Sequence, residues 1–176
     1  MAEQFKSVYQ RGANTGFYFG LYLSALFFAM AYSMMVPGLS LLALVMMAAV
    51  PVIIYKCLRR MYVEEKGYSL LSGLWMYGIV IFFCGSLIAA AVSAIFLKWI
   101  HPGFMTEQIA LSIDMLKSSG LKDGESMAEM LQLISDKGMI PGPAEISIRT
   151  ITFSVFTGSI LSLIMAALAM ARGYKR

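Results

Sequence analysis

The sequence predicts an all-α membrane protein, a four-transmembrane-helix antiparallel bundle with an extracytoplasmic amphipathic helical pair between membrane helices three and four. Three observations lead there. Of 176 residues, 59% are apolar and only 14% charged, with a mean hydropathy of +0.74, whereas soluble domains sit near ~45–50% apolar and ~25% charged. Four apolar runs, about 15–36, 39–55, 70–97 and 150–171, contain no Asp, Glu, Lys, Arg or His. The basic residues are divided unevenly between the segments that join those runs.

A hydrocarbon core of ~30 Å takes about 20 helical residues, and lipid offers no partner for an unpaired peptide group, so the four runs are expected to be helices. Runs one and two are separated by Pro37-Gly38, which predicts a tight hairpin. Run two is the shortest and contains Pro51. Run three is long for one bilayer and is bracketed by Trp75 and Trp99, residues suited to the two interfacial belts. Lys6, Arg11, Lys56, Arg59, Arg60, Lys66, Arg172, Lys175 and Arg176 fall on one side, and Lys98, Lys117, Lys122, Lys137 and Arg149, outnumbered by acids, on the other. The positive-inside bias then puts both termini and the 56–69 link in the cytoplasm and 98–149 outside, in one integral membrane domain spanning residues 1–176. The first run is read as a retained span rather than a cleaved leader.

Small residues four apart share a helix face and let helix backbones approach closely in lipid. Such rows are Gly12, Gly16, Gly20 and Ser24 in run one; Gly85, Ala89 and Ser93 in run three; and Ser154, Gly158, Ser162 and Ala166 in run four. They are expected to be helix-packing seams, with contact to another subunit as the alternative for one of them.

Between runs three and four, Met105, Ile109, Ile113 and Leu116 recur at helical spacing. A second short helix is expected from Ser126, where Ser126 and Glu129 form a capping-box pattern, with Met127, Met130, Leu131 and Ile134 on its apolar face. These faces are left three options: lying on lipid, packing on each other or docking a partner.

Chemistry-bearing patterns are sparse. The runs hold no ionisable group of the kind that marks an ion or proton path, and the chain has one histidine and two cysteines, Cys57 and Cys84, without metal-ligand spacing. No catalytic residue, metal or cofactor is therefore expected, and the protein is expected not to be an enzyme. Lys56, Arg59, Arg60 and Lys66 on the cytoplasmic rim, and Lys98, Trp99, His101 and Arg149 on the other, are candidates for lipid headgroups or an acidic partner. No nucleic-acid motif accompanies them. The expected partners are membrane lipid and a membrane protein or a second copy of the chain.

The order of features is a glycine-rich first run, a Pro-Gly hairpin, and a basic link ending Lys66-Gly67-Tyr68-Ser69. A long third run with a Pro102-Gly103-Phe104 exit, a Met- and Glu-rich outer segment and a basic tail follow. This resembles the domain-of-unknown-function 4199 family of Bacteroidetes four-span membrane proteins over nearly the whole chain. The resemblance implies a bacterial inner membrane and an accessory role beside a membrane glycosyltransferase acting on polyprenyl-phosphate sugars. It carries no catalytic residues. The expectation is a non-enzymatic accessory or scaffold protein, with an oligomeric transporter or lipid-translocation component as the alternative.

Overall fold

The computed structural model describes residues 7–33, 36–118, 124–136 and 142–173. All regular structure among them is helical: α1 (Val8–Ala31), α2 (Pro37–Glu64), α3 (Leu71–Ile95) continued by a π-helical turn (Phe96–Ile100), α4 (Phe104–Ser118), α5 (Gly124–Asp136) and α6 (Pro143–Ala171). The chain divides into two compact units, one of residues 1–91 with 148–176, the other of residues 92–147.

Three of the described helices are long and apolar enough to cross a membrane: Gly38–Glu64, Leu71–Ile100 and Pro143–Ala171. The first expected run is not among them. Its helix starts at Val8 and ends at Ala31 instead of covering 15–36, so Gln10, Arg11, Asn14 and Thr15 occupy its first turns and dilute the apolar stretch behind them. Ser7 caps it, accepting from the Gln10 amide at 3.3 Å.

The boundaries of the other runs also move. Pro37 and Gly38 are the first residues of α2 rather than the turn itself, because proline lacks the N–H that a first turn leaves unused and its φ is already helical. Val36 before it is extended, as a pre-proline residue prefers. The Val36 N–H donates to Tyr32 O at 3.1 Å; Met34 and Met35 lie outside the described residues. Instead of stopping at Tyr55, α2 runs through Pro51 and on to Glu64, so most of the expected basic link is helical. It ends where Gly67 N–H reaches back to Tyr62 O at 3.0 Å, with Lys66 at φ 52° and Gly67 at φ 80°. Similarly, α6 takes up 143–149, which had been assigned to the outer segment.

In the first unit the core consists of Phe19 from α1, Ile54, Leu58, Met61 and Tyr62 from α2, Leu74, Tyr77, Ile81 and Phe82 from α3, and Ala166 from α6. The glycines set its registers. A Cβ on Gly12, Gly16 or Gly20 would meet Val80 at 2.7 Å, Cys84 at 2.7 Å and Ile88 at 2.8 Å in turn. This constant offset makes α1 and α3 parallel over about two turns. Across α3, Gly78 lies against Ser162 and Gly158 against Phe82, an antiparallel register with α6. Tyr22 donates to Met46 O at 2.5 Å between α1 and α2.

In the second unit Lys117 of α4 donates to Gln132 of α5 at 3.4 Å, and Ala128 is fully buried. Two readings of this unit are corrected. The α5 helix starts at Gly124, so Ser126 lies inside its first turn rather than at the cap. Of the expected apolar face of α5, Leu131 and Ile134 are half-buried, whereas Met127 and Met130 are exposed; Gln132 and Ser135 line a cavity with α4.

Candidate functional site

One cavity in the first unit gathers polar side chains. It has a volume of about 400 Å³ and is lined by Arg11, Asn14 and Thr15 of α1, Cys57, Arg60, Met61 and Glu64 of α2, and Tyr77 of α3. Each helix contributes through its own period. Arg11, Asn14 and Thr15 are spaced i, i+3 and i+4, and Cys57, Arg60, Met61 and Glu64 follow the same rule, so each set shares a face. The glycine seam brings α1 onto α3 and thereby sets Thr15 beside Tyr77, whose hydroxyls are 2.8 Å apart.

Glu64 organises the charge. Its Oε1 accepts from Arg60 Nε at 2.9 Å and its Oε2 lies 3.5 Å from Arg11 Nη1. One carboxylate between two guanidiniums leaves the cluster net positive. Each guanidinium has five N–H donors in a planar fork, so most remain unspent by Glu64. Met61 and Tyr77 also belong to the core cluster of the buried Phe19, Ile54, Leu58 and Ile81, which gives the cavity an apolar floor.

Of the expected cytoplasmic-rim candidates, only Arg60 reaches this cavity. Arg59 faces α6, donating to Ala169 O and Gly173 O at 2.7 Å each and lying 5.6 Å from the centroid of the Tyr62 ring. It satisfies carbonyls that a helix end leaves unpaired. Lys56 and Lys66 are exposed. Arg172 sits over the Tyr55 ring at 5.6 Å.

The other group is not one site. Lys98 lies 5.9 Å from the exposed Trp99 ring, whereas His101 stacks against Phe96 and meets Phe104 edge-on, with Nε2 3.8 Å from Glu107. Lys98 and Trp99 lie within the π-turn and His101 caps it, its N–H returning to Phe96 O at 2.9 Å. Arg149 is exposed on α6.

Six of the expected packing residues meet a neighbouring helix within the chain. Besides Gly12, Gly16 and Gly20, Gly85 lies under Phe19, and Gly158 and Ser162 oppose α3. Ser24, Ala89, Ser93 and Ala166 are buried and Ser154 is half-buried. Ser24 donates to Gly20 O at 2.8 Å.

With this geometry established, comparison with known proteins adds one finding. The family model described as "Protein of unknown function (DUF4199)" matches residues 14–171. The chain belongs to this family. No curated protein and no solved structure matches it. The matched span contains Asn14, Thr15, Arg60, Glu64 and Tyr77 of the cavity and starts three residues after Arg11.

Sequence reasoning missed Arg11, Asn14, Thr15, Glu64 and Tyr77 as a set, and also Gly78. The local signal for the first three was their shared face at the start of an otherwise apolar helix. Nothing local connects them to Glu64 or Tyr77, which join them only when three helices pack.

Proposed function

We propose that this chain is a four-span protein of the bacterial inner membrane, an antiparallel bundle of α1, α2, α3 and α6. Both termini are cytoplasmic and the segment 98–149 is periplasmic. In that setting it serves as a non-enzymatic accessory or scaffold subunit, and the partner class we favour is a membrane glycosyltransferase acting on polyprenyl-phosphate sugars.

The observation that carries the four-span reading is the α1–α3 register. Gly12, Gly16 and Gly20 seat α1 on Val80, Cys84 and Ile88, inside the helix with the highest mean hydropathy among the candidate spans, 2.6. A helix locked by backbone-close contacts to a spanning helix over about two turns crosses with it, even though its first turns are polar. The accessory role is supported over a transporter by the floor of the polar cavity. A translocation path needs polar lining through the bundle, and Phe19, Ile54, Leu58 and Ile81 are buried and apolar directly beneath.

Thiol labelling with an impermeant maleimide tests the topology. In a background without Cys57 and Cys84, Tyr9→Cys and Lys66→Cys are expected to react only from the cytoplasm and Ser126→Cys only from the periplasm. Periplasmic labelling at residue 9 leaves three spans and refutes the bundle. Affinity purification of the full chain from native membranes in mild detergent tests the role, and repeated recovery of the chain alone, without a membrane enzyme, refutes it.

A further inference from the structure

We propose that the cavity between Arg11, Asn14, Arg60 and Tyr77 binds the phosphate of a phospholipid headgroup. The inference rests on the four-span reading in one respect: that reading brings this end of α1, α2 and α3 to the bilayer surface.

The donor set suits a phosphate oxygen cluster. Glu64 holds both guanidiniums through a single carboxylate, at 2.9 Å and 3.5 Å, so they stay adjacent while keeping free N–H groups. Paired, planar guanidinium forks match phosphate geometry. Asn14 adds an amide, and the Thr15–Tyr77 hydroxyl pair adds a fixed neutral donor, since Tyr77 is only 6% exposed. The net charge of two arginines and one glutamate selects an anion. The volume, about 400 Å³, admits a headgroup and leaves acyl chains outside.

A lipid is favoured over free phosphate by what adjoins the rim. From Asn14 the same face of α1 continues through Phe17, 52% exposed, and Leu21, 50% exposed. An acyl chain leaving the cavity therefore meets an uncovered apolar lane at helical spacing. The apolar floor beneath the cavity keeps the headgroup at the surface.

Native mass spectrometry of the full chain in detergent tests this with dioleoyl-phosphatidylglycerol, dioleoylglycerol and inorganic phosphate as probes. The expected result is retention of phosphatidylglycerol over dioleoylglycerol. The double variant Arg11→Gln, Arg60→Gln is expected to lose it by about tenfold or more, as charged hydrogen bonds of ordinary strength require. Asn14→Ala leaves both ion pairs in place and is expected to weaken retention without altering the circular dichroism spectrum, which keeps the test decisive if the double variant misfolds. Lys56→Gln with Lys66→Gln, basic neighbours outside the cavity, is expected to leave retention unchanged.

Equal retention of the phosphate-free lipid, undiminished retention in both cavity variants, or an equal loss in the lysine control overturns the proposal. Arginine-dependent stabilisation by inorganic phosphate without lipid retention also overturns it, in favour of a free-anion site. Because binding is measured in detergent, failure of the topology reading shows only in the maleimide experiment and is distinguishable from failure here.

Discussion

Gly158→Ala is the smallest perturbation that tests how α1, α3 and α6 are held together. A Cβ at that position would lie 2.5 Å and 2.6 Å from Cδ1 and Cδ2 of Phe82, where carbon atoms in ordinary contact stand ~3.5–4.0 Å apart. Cγ of the ring lies closer still, so the ring must move by more than about 1 Å to restore that separation. It is 6% exposed and packs edge-on against Phe19 at 5.1 Å, and Phe19 in turn covers Gly85, leaving only 2.8 Å between its Cδ1 and a Cβ there. The displacement is therefore passed from α6 through α3 to α1 instead of being absorbed by a free side chain. Overpacking of this kind costs about 2 kcal/mol, and for a chain of this size roughly 4–8 °C in Tm. Unfolding in detergent can be followed with a thiol-reactive dye, since Cys57 and Cys84 are free thiols whose partial burial in the fold is lost on unfolding. On a Phe82→Leu background, where the ring is gone, the same glycine substitution is expected to cost at least about 1 kcal/mol less, a coupling of the size seen for residues in contact. Wild-type Tm for Gly158→Ala, or additivity of the two changes, refutes the packing argument.

Three further outcomes are expected. Thr15→Val leaves the buried Tyr77 hydroxyl without its 2.8 Å partner and is expected to destabilise by ~1–3 kcal/mol; adding Tyr77→Phe should recover most of that loss, and a further loss of similar size contradicts the account. Arg59→Met removes two 2.7 Å bonds to Ala169 O and Gly173 O, so amide exchange over the last turn of α6 should rise by about tenfold; unchanged protection there contradicts the capping role. Lys66→Gly relieves a left-handed backbone at φ 52° and should stabilise by ~1 kcal/mol, so a lower Tm for that variant tells against the turn geometry.

Much of this protein was legible in local sequence. Three helices able to span a membrane and the two amphipathic helices α4 and α5 followed from uncharged length and apolar period, quantities that each segment carries alone. The small-residue rows were visible for the same reason, since Gly12, Gly16 and Gly20 mark a face whatever opposes it. Helix ends were less legible. Hydropathy registers where charge begins, whereas a helix stops where backbone hydrogen bonding stops, so α2 carried Lys56, Arg59 and Arg60 on to Glu64. That Leu131 and Ile134 of α5 are half-buried while Met127 and Met130 are exposed was also hidden, because which part of an apolar face is covered depends on what covers it.

Composition and pattern by themselves determined the solvent of this chain and the class of its helices, because transfer to lipid is close to a sum over residues of one segment. Only the tertiary structure decided that Gly158 faces Phe82, that Arg59 and Arg60 turn to different helices, and that Arg11, Glu64 and Tyr77 share one cavity. Those are relations between residues tens of positions apart, fixed by helix register and close packing, and no single segment contains the information to set them.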